Sequence, residues 1–154
     1  MHSPQIVGRR KPASGVLISE TAPTIVFVTV CTDRRVPWLI QPSIHRKLVE
    51  AWTKADGWII GYYLLMPDHI HFFCAPRKLE IRLDQWVTYW KRIFTKELKN
   101  PNCQWQSGHW DTRLRRSESY TEKWNYVREN PVRKGLVRTA DDWPHKGMLN
   151  VLAW

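Results

Sequence analysis

Alternating and helically spaced apolar positions divide residues 24–129 into an ordered series of elements. TIVFVTVCT, residues 24–32, is β-branched and aromatic and predicts a strand. DRRVPW turns the chain. From Pro42 to Lys54, Ile44, Leu48, Ala51 and Trp52 recur at the spacing of one helix face, and proline suits a first helical turn. WIIGYYLLM, residues 58–66, and HIHFFCAP, residues 69–76, are apolar runs joined by a Pro-Asp turn, which predicts a hairpin. A second helix is predicted from Leu83 to Leu98, with Trp86, Trp90, Ile93 and Phe94 on one side and Lys91, Arg92, Lys96 and Lys99 on the other. CQWQSGHWDTRLRR predicts one more strand, interrupted near Ser107-Gly108. A third helix, roughly Glu118 to Glu129, is expected to end at Asn130-Pro131, because proline disfavours helix in the residue before it. The order βαββαβ followed by α predicts an α+β fold: a ferredoxin-like split βαβ antiparallel sheet with helices on one face and an added C-terminal tyrosine-bearing helix.

The chain has 154 residues, and a domain of that size buries roughly 70% of its unfolded surface. Residues 24–154 are therefore read as a single domain. Residues 1–23, rich in Pro, Gly, Ser and charge, are read as a basic arm carrying Arg9, Arg10 and Lys11. A hydrophobic share of 43% excludes the disordered class. The formal charge of +10, from 24 Lys and Arg against 14 Asp and Glu, favours a polyanionic partner. No stretch approaches the about 18 apolar residues of a spanning helix. The N-terminal residues lack an apolar signal core, so the expected location is intracellular and cytoplasmic. Cys31, Cys74 and Cys103 fit neither a disulfide framework nor a zinc pattern and read as buried thiols.

Residues i and i+2 of a strand project to the same side about 6.5 Å apart, so His69 and His71 share a face opposite Ile70, Phe72 and Cys74. If the helices cover the Ile70 face, both imidazoles stand on an open face of the sheet. There they are either two hydrogen-bonded histidines or part of a divalent-cation site, whose further ligand must come from elsewhere in the chain. In the third helix Tyr120, Trp124 and Val127 form an apolar stripe facing the sheet. Tyr126 lies about 120° from that stripe, with Asn130 within about 40° of it and Ser119, Glu122 and Lys123 on the same flank. Tyr126 is then either a boundary residue beside a helix-ending Asn130, or a phenol and an amide projecting together. Imidazoles, phenol, amide and a basic surface are together what metal-assisted attack on a phosphodiester requires.

Four segments in order, GRRKP, VFVTVCTDRR, LLMPDHIHFF and WNYVRENPVRKGLV, resemble the REP-associated tyrosine transposases, within the HUH superfamily of single-strand nucleases. The resemblance implies that His69 and His71 bind a catalytic Mg2+ or Mn2+, that Tyr126 is the nucleophile, and that Asn130 is the third ligand. It implies a covalent 5′-phosphotyrosine on single-stranded DNA beside hairpins of palindromic repeats, and a monomer in preference to a dimer that exchanges the tyrosine helix. Asp68 stands where Asn is common in these proteins. The expected phosphate contacts are Arg9, Arg10, Lys91, Arg92, Arg113, Arg115, Arg116, Arg128, Arg133 and Lys134. Competing readings are a non-cleaving protein that binds DNA hairpins with the same fold, a hydrolase using water in place of tyrosine, and an RNA-binding ferredoxin-like domain. The last lacks the aromatic pattern of an RNA recognition motif.

Overall fold

The computed structural model describes residues 24–115 and 117–153. The expected arm, with Arg9 and Arg10, and Arg116 lie outside these residues. In chain order the elements are β1 (Val26–Cys31), α1 (Pro42–Lys54), β2 (Trp58–Leu65), β3 (His69–Pro76), α2 (Leu83–Leu98), β4 (Trp110–Arg113), α3 (Ser117–Val127), a short α4 (Asn130–Arg133) and β5 (Lys146–Met148). Among the described residues the strands form one antiparallel sheet in the order β4-β1-β3-β2-β5. The first four strands have the ferredoxin-like order, and β5 extends the β2 edge.

Burial sorts the sheet into two faces. Val26, Val28 and Val30 of β1 and Ile70, Phe72 and Cys74 of β3 point toward α1 and α2. Those helices return Ile44, Leu48 and Trp52, and Leu83, Trp86, Trp90 and Phe94. Trp86 and Trp90 are fully buried, so the tryptophan stripe is core. Rings of Trp52, Phe72, Trp86 and Trp90 meet one another edge to face or tilted at centroid distances of 5.7 to 6.3 Å, arrangements that add to the gain from burial. α2 starts where the Gln85 side chain accepts the Arg82 N–H at 3.0 Å and stops at left-handed Lys99.

The opposite face, expected to be open, is covered. Ile25 just before β1, Phe27 of β1, Leu64 of β2 and Phe73 of β3 pack there against Tyr120, Trp124 and Val127 of α3, with Trp143 and Leu152 from the C-terminal segment. Trp124 stacks on Tyr62 at 4.6 Å, and Tyr120 meets Phe73 edge-on at 4.9 Å. The stripe predicted to face the sheet does so, and that contact is what closes the face. Two local differences accompany it. α3 ends at Val127, and a new four-residue helix, Asn130–Arg133, carries Pro131 in its first turn where a stop was expected, because proline is suited to that turn. β5 was not predicted, since Lys-Gly-Met has no apolar alternation and joins the sheet through backbone pairing with Tyr62 to Leu64.

A bulge in β2 fits this face to α3. Ile60 pairs with Cys74 and Tyr63 with Phe72, so one extra residue is accommodated between them. Tyr62 N–H donates to the Tyr120 hydroxyl at 3.2 Å. A Cβ on Gly61 would strike the Tyr120 hydroxyl and lie 2.7 Å from Leu152 Cγ. Gly61→Ala should therefore cost about 1–3 kcal/mol, as overpacking does. Urea unfolding measures it, and an unchanged midpoint would mean that α3 and the tail yield freely.

Candidate nucleic-acid processing site

β3 places His69 and His71 on the α3 side of the sheet, with ring centroids 4.7 Å apart and planes at 78°. His71 stands opposite Thr29 of β1, and Thr29 Oγ1 lies 2.9 Å from its Nδ1. Phe27 stacks on the same imidazole at 5.2 Å. Lys123 of α3 sits over the other partner in this stack, its Nζ 4.8 Å from the Phe27 centroid. His69 Nδ1 lies 2.8 Å from Asp68 Oδ1, and Arg35 Nε donates to Asp68 Oδ2 at 3.1 Å. An Arg35 terminal nitrogen is also 3.3 Å from His69 Nδ1. A nitrogen whose hydrogen already points to Asp68 cannot accept a second one, so this is proximity and not a second bond.

Arg35 reaches Asp68 from an unusual backbone. Arg34 and Arg35 both have positive φ, 52° and 58°, a left-handed conformation that costs a non-glycine residue about 1–3 kcal/mol. The turn is held by Asp33 N–H donating to the Gln104 carbonyl at 2.9 Å and Thr32 N–H donating to the Asp68 carbonyl at 3.0 Å.

Both imidazoles resist protonation. Burial holds His71 well below its ordinary value, and the nearby charges of His69, Lys123, Arg35 and Arg133 push the same way. Burial also lowers His69, against the opposing pull of Asp68, and Arg35 and Lys134 lower it further. Burial would raise Asp68, yet its hydrogen bonds with His69 and Arg35 and their charges leave it lowered. Lys123 is lowered by burial. The histidine pair is thus neutral near neutral pH and ringed by cations.

Tyr126 is 49% exposed on the outer flank of α3. The Arg133 guanidinium lies 4.0 Å from its ring centroid, donates to the Tyr126 carbonyl at 2.7 Å, and also donates to Asn130 Oδ1. The phenol and amide predicted to project together are therefore brought together, under one arginine. Among the described residues neither makes a hydrogen bond or ring contact with the imidazoles, but Arg133 and Lys134, on and just beyond α4, act on them through charge. No group of three or more His, Cys, Asp and Glu gathers as a metal cage among the described residues. Imidazole Nε2 atoms are ligands of a kind that divalent cations take, while the amide oxygen of Asn130 is engaged by Arg133.

The expected phosphate contacts divide. Arg92, Arg115, Arg133 and Lys134 are exposed and Arg113 is half-buried. Lys91 donates to the Gln106 and Gly108 carbonyls at 3.0 and 2.7 Å, and burial lowers it to about 8. Its ammonium thus holds the loop before β4. Arg128 pairs with Asp141 at 2.7 Å. Sequence reasoning missed Thr29 and Arg35. Strand alternation could have put Thr29 on the histidine face, but its pairing with His71 depends on register, and nothing local marks Arg35.

By sequence and by fold the chain resembles the REP-associated tyrosine transposases. It is 28% identical over 94 residues to a Haemophilus influenzae protein assigned to that family, covering 53% of each chain. It is 27% identical over 88 residues to the Escherichia coli REP-associated tyrosine transposase, covering 55% of this chain and 51% of that one. The chain spans about half the length of the curated relatives it matches. A solved structure of a REP-associated tyrosine transposase bound to a REP hairpin superposes with a TM-score of 0.68 at 24% identity, over 80% of this chain and 75% of that one, which shows a shared fold. No family model matches.

Because the folded chain protonates these imidazoles below the ordinary 6.5, the unfolded chain takes up protons first as pH falls. Stability present above about 6.5 is lost as acid drives the folded-state groups to charge. His71→Asn, whose side-chain amide stands in for Nδ1 beside Thr29 but does not titrate, should flatten the dependence of the urea midpoint on pH below about 6.5. A profile as steep as that of the wild type would assign the loss to other groups.

Proposed function

We propose that this chain is a metal-dependent single-strand DNA endonuclease and strand transferase, acting beside hairpins of palindromic repeats through a covalent tyrosine intermediate. The observation that carries the reading is the pair of neutral imidazoles, each engaged through Nδ1, on a sheet face closed by the helix that bears Tyr126. It is supported by the transposase names of the relatives and by the hairpin bound in the solved structure of similar fold.

In the proposed step the Tyr126 hydroxyl oxygen attacks the scissile phosphorus in line. The bond from phosphorus to the 3′ oxygen breaks, and that oxygen leaves with the electron pair and takes up a proton, while the phenol proton passes to solvent. The products are a 5′-phosphotyrosine and a free 3′-hydroxyl, so another 3′-hydroxyl can reverse the step as strand transfer. A divalent cation, Mg2+ or Mn2+, held by His69, His71 and Asn130 would polarise a non-bridging phosphate oxygen. Asn130 Oδ1 and the Tyr126 ring both lie under Arg133. Movement of that guanidinium to a phosphate would free both and add a charge-assisted contact. Exposed Arg92, Arg115 and Lys134 would track the backbone.

Incubation with labelled hairpin DNA carrying a single-stranded flank, with Mg2+ or Mn2+, followed by a denaturing gel, tests the reading. A protein-DNA adduct is expected with the wild type and lost with a chelator or in Tyr126→Phe. Undiminished capture by Tyr126→Phe would remove the nucleophile. Tight hairpin binding by the wild type with no adduct would favour a non-cleaving hairpin-binding protein.

A further inference from the structure

An imidazole that binds a cation through one ring nitrogen donates the hydrogen on the other, and the acceptor of that hydrogen sets both tautomer and ring orientation. Here a side-chain oxygen stands at Nδ1 of each histidine, a hydroxyl at one and a carboxylate, which can only accept, at the other. Thr29 Oγ1 lies 2.9 Å from His71 Nδ1, and Asp68 Oδ1 lies 2.8 Å from His69 Nδ1. A carboxylate oxygen so close to a bare Nδ1 would set two lone pairs against each other. The hydrogen of neutral His69 therefore sits on Nδ1, and Nε2 keeps its lone pair.

Asp68 is held in turn. Arg35 Nε donates to its second oxygen at 3.1 Å, from the left-handed Arg34-Arg35 backbone. The carboxylate is thereby fixed from two sides, by the imidazole it orients and by a guanidinium from the loop after β1.

We propose that Asp68, tethered by Arg35, is a positioning residue that locks His69 as the Nδ1–H tautomer, with Nε2 left to ligate the cation. The inference rests on the reading of these histidines as a cation site. An Asn at this position would offer an amide oxygen to the same hydrogen without the charge, whereas Ala would offer nothing. Asp68→Asn is therefore the conservative variant and Asp68→Ala the disruptive one.

Two measurements on the full chain test this. In protein labelled with 15N-histidine and free of metal, long-range proton-nitrogen correlations report each tautomer, with His69 assigned by its loss in His69→Gln. His69 should be Nδ1–H in the wild type and in Asp68→Asn, and should shift toward Nε2–H in Asp68→Ala. Titration with Mn2+, followed by electron paramagnetic resonance, should show half-saturation raised about ten- to a hundredfold in Asp68→Ala, with Asp68→Asn nearer the wild type. A merely structural role would leave the tautomer unmoved. An Nε2–H wild type, or Asp68→Ala with unaltered tautomer or Mn2+ affinity, overturns the proposal even if the adduct still forms. Should His69 be Nδ1–H while wild type and His69→Gln take up Mn2+ equally weakly, the cation reading itself falls, and the positioning role falls with it.

Discussion

β1 and β3 pair in a single antiparallel register, with Val26 opposite Cys74, Thr29 opposite His71 and Cys31 opposite His69. A slip of one residue would exchange the faces of an entire strand. The imidazoles would enter the tryptophan layer, and Ile70, Phe72 and Cys74 would meet the tyrosine helix. Burial forbids that exchange, because those three residues and Val26, Val28 and Val30 are fully enclosed on the α1 and α2 side. Apolar side chains that do no chemistry thus decide where the imidazoles stand and which residue lies across from each.

The second layer adds the charge. α3 presses Tyr120, Trp124 and Val127 onto Phe27, Leu64 and Phe73 and leaves Tyr126 on its outer flank. The same packing brings Lys123 over Phe27, and the chain beyond α3 brings Arg133 and Lys134 to bear on the histidines. Burial keeps the imidazoles neutral while fixed positive charge surrounds them. Such a pocket draws anions without losing the lone pairs that a cation needs.

Much of this was legible along the chain. Helix spacing gave α1 and α2, and alternation with a Pro-Asp turn gave the β2-β3 hairpin and the shared face of His69 and His71. The flank shared by Tyr126 and Asn130 was also legible. What escaped depends on contacts distant in sequence. The closure of the histidine face needs α3 folded back over a sheet whose strands precede it. The tether from Arg35 to Asp68 spans 33 positions and requires a left-handed turn that two arginines do not advertise. β5 has no side-chain pattern to read, and Pro131 carries equal meaning as a stop and as a start. The solvent-facing appearance of Lys91 in the helical pattern was misleading because its partners are carbonyls of a later loop.

The β2 bulge has a consequence for how this hairpin can change its length. Gly61 and Tyr62 both face the α3 layer, so Trp58 and Ile60 before them and Tyr63 and Leu65 after them reach the same tryptophan layer because the bulge absorbs one supernumerary residue. Excising that residue would restore plain alternation with both halves of the strand still on their present layers, whereas a deletion elsewhere in β2 would make one half trade layers. A single-residue deletion at the bulge is therefore a different kind of event from one elsewhere in the strand. The hairpin that carries the histidines inherits a frame, much as codons do, and indels in β2 away from the bulge shift it.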